Sequence, residues 1–337
     1  MTIASLPVTS LGAAAAAVVE KLAAPGAIER IECPNDTHWR ALRHDDVTAS
    51  VAAALLGEHE WETAYSLFIS KSGALENDVE DSGPVRRGRL LEPVAVQVLR
   101  EEHPGWIIQH NAAAARVYYR DPEARIGGTP DVEVRDQERG FGVVQIKSVE
   151  ASVFRRKWCA DGAPEPPLWI AVQAIIEAAL TGATWAAVAP IVVGHGVEMP
   201  LIDIPLTSAP AIMARLRAEV AAFWKRVAEN DPPPPDYARD GATIARLYGA
   251  DDGSTIVLDG WNRGPELAAE DETLASGIKE LTERRKAIKA ELLEKIGSAS
   301  VATIDGRVFA TAKTVKKKPY AVAASEYRDV RFSKQRA

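Results

Sequence analysis

The sequence predicts an α/β (α+β) fold, a mixed sheet flanked by helices in the order helix, three strands, helix, strand. Three observations carry this. Residues 84–102 place Leu91, Val94, Ala95, Val98 and Leu99 at helical spacing. Short runs of β character follow at about 106–109, 114–119, 131–135 and 142–147. A second apolar helical run, 167–180, then leads into an unbroken apolar strand at 185–193.

The elements follow in chain order. Residues 1–28 are rich in Ala, Val, Ser and Thr, and their first charges, Glu20 and Lys21, come after the apolar stretch rather than before it. A secretory leader needs the opposite order, so this segment reads as a flexible arm or a short alanine helix. Residues 38–58 read as a loop and then a helix capped near Thr48 or Ser50. Asp136-Gln137-Glu138-Arg139-Gly140 is polar and ends in glycine, which turns one strand back on the next. Residues 209–230 form an amphipathic helix. The four prolines at 232–235 cannot continue it, which sets a boundary between a core of 29–232 and an extension of 233–337. The extension holds a connector with a short helix (240–248) and a strand (254–259), then a long helix (265–296). Leu267, Leu274, Ile278, Leu281, Ile288 and Leu292 give that helix a packing seam, and Gly297 stops it. Asp305-Gly306 marks a β-hairpin over 299–312, and a basic tail follows Thr314.

Composition narrows the function classes. Of 337 residues, 47% are hydrophobic and 26% charged, too apolar for a disordered chain. No uncharged apolar run reaches about 18 residues, so no membrane span is expected. Two cysteines, Cys33 and Cys159, cannot build a disulfide framework or an iron–sulfur cluster, and a reducing, cytoplasmic setting follows. The six histidines show no metal-ligand spacing. The net charge of −7 argues against nucleic acid only on average. From Ile278 onward fifteen Lys or Arg face seven Asp or Glu, and basic clusters stand at Arg86-Arg87-Arg89, Arg155-Arg156-Lys157 and Lys316-Lys317-Lys318.

The stretch richest in chemistry is Thr129-Pro130-Asp131, followed after residues 132–144 by Gln145-Ile146-Lys147. Residues two apart on a strand share a face, so Gln145 and Lys147 project together. The turn at 136–140 folds them back toward Asp131. A carboxylate, an amide oxygen and an ammonium then meet, and the backbone carbonyl of Ile146 adds a further oxygen. Hard divalent cations take such oxygens. A cation there activates water and neutralises the charge that develops on a phosphodiester, with Lys147 assisting. Glu92 is the fourth candidate. It lies in the first helix among apolar neighbours, where a carboxylate needs a partner.

Taken in order, these features resemble the PD-(D/E)XK nuclease superfamily, with its restriction-endonuclease-like αβββαβ core, and within it the phage lambda exonuclease and YqaJ-type viral recombinase family. The narrower resemblance rests on Trp39-Arg40-Ala41-Leu42-Arg43 with Val47-Thr48-Ala49-Ser50, on Lys71-Ser72-Gly73, on Arg87-Gly88 with Glu92-Pro93, and on Trp169, Val172 and Gln173. It implies a magnesium-dependent 5′→3′ exonuclease that digests one strand of linear duplex DNA and leaves 3′ single-stranded tails for recombination by strand annealing. Manganese would substitute for magnesium, with two ions per site. The resemblance makes Asp131, Gln145 and Glu92 metal ligands, Lys147 the catalytic lysine and Gln173 a residue that orients the site. It makes Arg43, Ser50 and Thr129 contacts to the 5′ phosphate, with Arg155 or Arg156 in place of a second phosphate-binding arginine. The implied partners are DNA ends, a single-strand annealing protein and copies of the chain in a ring trimer. The implied setting is a phage or prophage gene product in the bacterial cytoplasm. Gln145 stands where an acid is commoner, which motivates a competing reading, a catalytically inactive DNA-end-binding protein; a sequence-specific endonuclease of the same fold is a third.

Overall fold

The computed structural model describes residues 27–75, 83–160, 162–319, 321, 324 and 326–332. The arm expected at 1–28 lies almost wholly outside them. The chain divides into two units, 1–247 and 248–337.

In the first unit, strand β1 (Glu29–Glu32) precedes helix α1 (Asp36–Asp45) and the two-residue strand β2 (Val47–Thr48). This corrects the expectation for 38–58. The helix lies before Thr48 and Ser50, not after them. Its cap is Asn35, whose side chain accepts from the His38 amide at 2.8 Å. Asp36 in its first turn and Arg43 and His44 in its last suit the helix dipole. Helix α2 (Ala64–Lys71) opens with a capping box made by Thr63 and Ser66. Helix α3 (Gly83–Glu102) follows, and then come β3 (Ile107–His110), β4 (Val117–Asp121), β5 (Ile126–Gly128), β6 (Val132–Asp136) and β7 (Gly140–Glu150). A short helical turn, 151–158, leads toward α4 (Leu168–Thr181) and β8 (Trp185–Val193). The edge strands β9 (Val197–Glu198) and β10 (Ile202–Ile204) and the helices α5 (Ala209–Glu229) and α6 (Gly241–Leu247) complete the unit.

The expected core is present. The main sheet has the order β10-β8-β7-β6-β3, with β9 also on β8. Strands β3, β6 and β7 form an antiparallel meander, and β8 joins β7 in parallel after the α4 crossover. The run at 114–119 is a strand, but it belongs elsewhere. As β4 it pairs with β1 and β5, and β2 adds to β5 in parallel, making a second, four-stranded sheet.

The two faces of the main sheet bury different helices. Ala95, Val96 and Leu99 of α3 pack on Val132, Val134, Val144 and Ile146. Ile170, Ala174 and Ala178 of α4 pack on Val143, Ala186 and Val188. The other side of α4, through Val172, Ile176 and Leu180, meets α5, α2 and the second sheet. Helix α4 is therefore enclosed on nearly every side, which explains its apolar composition. Gly127 permits the second sheet to close, since a Cβ there would fall 1.9 Å from the Tyr118 hydroxyl oxygen.

The first unit runs past the four prolines to Leu247. The expected break at 232 is displaced because Asp240 accepts from the Thr63 hydroxyl and Arg239 donates to the carbonyls of His59 and Glu62. Ile244 and Leu247 then pack on the first core.

The second unit contains helix α7 (Arg263–Ile296) and the hairpin β11 (Val301–Ile304) with β12 (Arg307–Thr311). Asp305 and Gly306 both take positive φ, 50° and 76°, as the tight turn requires. The expected strand at 254–259 does not form. Ile256, Val257 and Leu258 are exposed, and no described strand lies against them to complete a ladder.

Candidate active site

The β6–β7 register pairs Val132 with Val144, and one residue further along sets Asp131 beside Gln145. Asp131 Oδ2 accepts from the Ile146 amide at 2.8 Å and from the Gln145 side-chain amide. Gln145 is 3% exposed, and its Oε1 is buried with no partner among the described residues. Glu92, on α3, accepts from His110 Nε2 at 2.8 Å and lies close enough to raise the Asp131 pKa. Burial is the larger cause. It pushes the Asp131 carboxyl up to about 7 against the pull of Lys147. The structure thus brings Asp131, just before β6, to Gln145 and Lys147 of β7 and Glu92 of α3.

Lys147 Nζ donates to Gln173 Oε1 at 2.9 Å and lies 5.7 Å from the centre of the Trp169 ring. Gln173 Nε2 in turn donates to Glu177 Oε1 at 2.9 Å. Sequence reasoning overlooked Glu177. It is 1% exposed on α4, its other oxygen has no partner among the described residues, and burial together with the Asp131 charge pushes it up to about 8. The available signal was its spacing, four residues after Gln173, which sets both side chains on one helix face.

A second cluster adjoins the first. Arg43 Nη2 donates to Ser50 Oγ at 3.3 Å, and Ser50 Oγ is 3.1 Å from Thr48 Oγ1. Trp39 Nε1 donates to Thr129 Oγ1 at 3.0 Å. The guanidinium groups of Arg43 and Arg116 lie over the Trp39 ring at 4.6 and 4.0 Å. Burial lowers the Arg43 pKa, with Arg116 and Arg40 adding to that effect, and Glu177 acts against it. Lys71 is buried and donates to the carbonyls of Arg43 and Asp46, which fixes the segment carrying Arg43. Guanidinium and hydroxyl donors grouped in this way suit a phosphate dianion.

Arg155 and Arg156 are not part of this cluster. They sit exposed on the turn after β7 and make no hydrogen bond or ion pair with it. The second guanidinium beside Arg43 is Arg116, at the start of β4 and upstream of Lys147. Only the β1–β4 pairing brings it there, so local sequence gave no hint of it. Trp158, which follows them, is 4% exposed and packs on Phe154 in the core.

The donors beside Asp131 are mainly oxygen: its own carboxylate, the Glu92 carboxylate on which His110 sits, and the unpartnered amide oxygen of Gln145. Burial raises the Asp131 and Glu177 carboxyls, and neighbouring carboxylates add to it, so negative charge in this site is only partly compensated by Lys147. A small hard cation supplies that compensation, so the residues fit one. Among the described residues no group of three or more His, Cys, Asp and Glu forms a ready cage. Gln145, the backbone and water would complete the coordination.

Residues 38–184 match the family model of the YqaJ-like viral recombinase domain. No curated protein matches. Among solved structures, the chain is similar to an alkaline exonuclease, LHK-Exo, from Laribacter hongkongensis, at 21% identity over 62% of this chain and 98% of that one, with a TM-score of 0.44. It is also similar to the protein of a SOX–DNA complex, at 10% identity over 60% and 71% of the two chains, with a TM-score of 0.36. These distant likenesses assign no residue a role. Among the described residues, no helix is long and apolar enough to cross a membrane.

Proposed function

We propose that the chain, which carries a YqaJ-like viral recombinase domain over residues 38–184, is a magnesium-dependent nuclease that digests one strand of linear duplex DNA in the 5′→3′ direction. One observation carries the reading. The three-residue segment Thr129-Pro130-Asp131 joins a cradle of phosphate-type donors to a buried cluster of cation-type oxygens. An enzyme that removes nucleotides from an end must hold the terminal phosphate and position the next linkage at once.

Asp131, Gln145 and the Ile146 carbonyl would hold one ion and Glu92 a second, with manganese substituting. Such ions lower the pKa of water and stabilise charge on the phosphate. The remaining work belongs to the chain. Arg43 and Ser50, with Thr129 beside them, bind the 5′-terminal phosphate. Lys147 presents its ammonium to the charge that develops at the scissile phosphate. Gln173 fixes the direction of Lys147, and Glu177 fixes which end of the Gln173 amide faces it. The product is a 3′ single-stranded tail, the substrate of a strand-annealing protein. A phage or prophage origin and the cytoplasm of the bacterial host suit that role, and a ring trimer is an assembly that would retain a duplex.

The test uses linear duplexes with 5′-phosphate or 5′-hydroxyl ends and a closed circle, each with Mg²⁺ or EDTA. Stepwise loss of the phosphorylated linear duplex, dependent on Mg²⁺, is expected. Binding without digestion would favour the inactive end-binding protein, and cutting of the circle the endonuclease.

Two variants sharpen the assignment. Arg43→Ala should lower the rate on 5′-phosphorylated ends by about 10- to 100-fold, as expected for a lost charge-assisted contact. The rate on 5′-hydroxyl ends should fall less, and an equal loss on both would remove the terminal-phosphate role. Gln145→Glu adds a carboxylate facing Asp131. Digestion at limiting Mg²⁺ should rise, so that a magnesium titration reaches half-maximal rate at a lower concentration. A shift to higher concentration would count against Gln145 as a ligand.

A further inference from the structure

Helix α7 spans 34 residues and has no buried side chain. At roughly 1.5 Å per residue it is about 50 Å long. Leu274, Ile278, Leu281 and Ile288 are all exposed, at 58%, 64%, 68% and 48%. With Leu267 and Leu292 they recur at threes, fours and sevens along one side. That is the seam of a helix that packs lengthwise against another helix.

Two charged residues occupy seam positions. Asp271 lies between Leu267 and Leu274, and Arg285 between Leu281 and Ile288, each four residues after one apolar neighbour and three before the next. They stand seven residues to either side of Ile278. Neither forms an ion pair with a described residue, whereas Arg263 pairs with Glu266 and Glu270, and Lys286 with Glu283. Residues 263–278 carry one Lys or Arg against four Asp or Glu, and residues 279–296 carry six against four.

We infer that α7 pairs antiparallel with α7 of a second copy of this chain, crossing at Ile278. Reflection through Ile278 sets Asp271 of each copy opposite Arg285 of the other. It brings Leu274 to within one residue of Leu281 and Leu267 to within one residue of Ile288, and it lays the acidic half of each helix along the basic half of its partner. This is the pattern a two-fold interface requires, in which residue i meets j and j meets i. A parallel pair would stack Asp271 on Asp271 and Arg285 on Arg285 inside the seam, placing like charges where water is excluded. An unrelated partner helix would impose no such symmetry on this one.

The test measures the mass of the full chain in solution by sedimentation equilibrium. Wild type should contain an even number of chains, six where two ring trimers join through α7. Asp271→Arg and Arg285→Asp should each weaken pairing by at least about tenfold, since each swap sets two pairs of like charges face to face. The double swap should pair again. A mixture of the two single variants should also pair, because each supplies the charge the other lacks. That mixture separates lost pairing from lost folding. A wild type of single-chain or odd-numbered mass overturns the inference. So do single swaps that keep the wild-type mass, as a parallel pair or an unrelated interface would give, and so does failure of the double swap and the mixture to recover.

Discussion

Asp131→Ala and Lys147→Ala are each expected to reduce digestion of a 5′-phosphorylated linear duplex by at least two to three orders of magnitude, about the scale of removing one preorganised charge-stabilising group. The double variant should be scarcely worse than either single one, because groups that act on one phosphate as a unit lose their effect together. The reasons differ for the two residues. Asp131 anchors the oxygen cluster and accepts from the Ile146 amide. Lys147 supplies an ammonium that Gln173 holds in place. Asp131→Ala should not unfold the protein, since it also relieves repulsion with Glu177 and Glu92, and its thermal midpoint in EDTA should stay near or above that of wild type. Its binding to DNA ends should persist through Arg43 and Ser50. Robust digestion by Asp131→Ala would sink the assignment of the site, whatever the behaviour of the ends.

Much of the core was legible because its signals are local. The turn at 136–140 and the two-residue strand period are enough to place Gln145 beside Asp131 from the sequence. The helix at 84–102 and the strand at 185–193 announced themselves by periodicity and length. What stayed hidden depends on partners distant in sequence. The run at 114–119 reads as a strand, but nothing local says that it leaves the main sheet for a second one with β1 and β5. The second sheet also contains strands too short to register, Val47–Thr48 and Ile126–Gly128. Arg116 reaches Trp39 only through that sheet. Thr48 and Ser50 resemble helix caps, but their hydroxyls are spent on one another and on Arg43. The seam of α7 could be read from spacing, and only the structure shows that the described residues leave it uncovered.

Glu177 shows how such a site trades stability for chemistry, and Glu177→Gln is expected to move the two in opposite directions. The folded carboxyl titrates at about 8 because burial and the nearby Asp131 charge oppose its ionisation, against an ordinary glutamate value near 4.3 in the unfolded chain. Below about pH 4 both states are protonated, and Glu177 contributes no pH dependence. Between there and pH 8 the folded state retains a proton that the unfolded state has released, so stability falls as pH rises. Above pH 8 the full penalty is present. The Gln variant lacks this penalty. In EDTA its thermal midpoint should exceed that of wild type by an increment that grows from about pH 4 to pH 8 and then levels, reaching a few kcal/mol in free energy. Its nuclease activity should fall, because a neutral amide at 177 can present either oxygen or NH₂ to Gln173, and Gln173 then no longer turns its oxygen uniquely toward Lys147. The loss should appear in kcat more than in KM, since Glu177 touches no substrate phosphate in this arrangement. Differential scanning fluorimetry across pH, beside single-turnover digestion, checks both halves. If the midpoint difference is flat with pH, the buried-carboxyl account of Glu177 fails. If stability rises with kcat unchanged, the account stands and the positioning role falls.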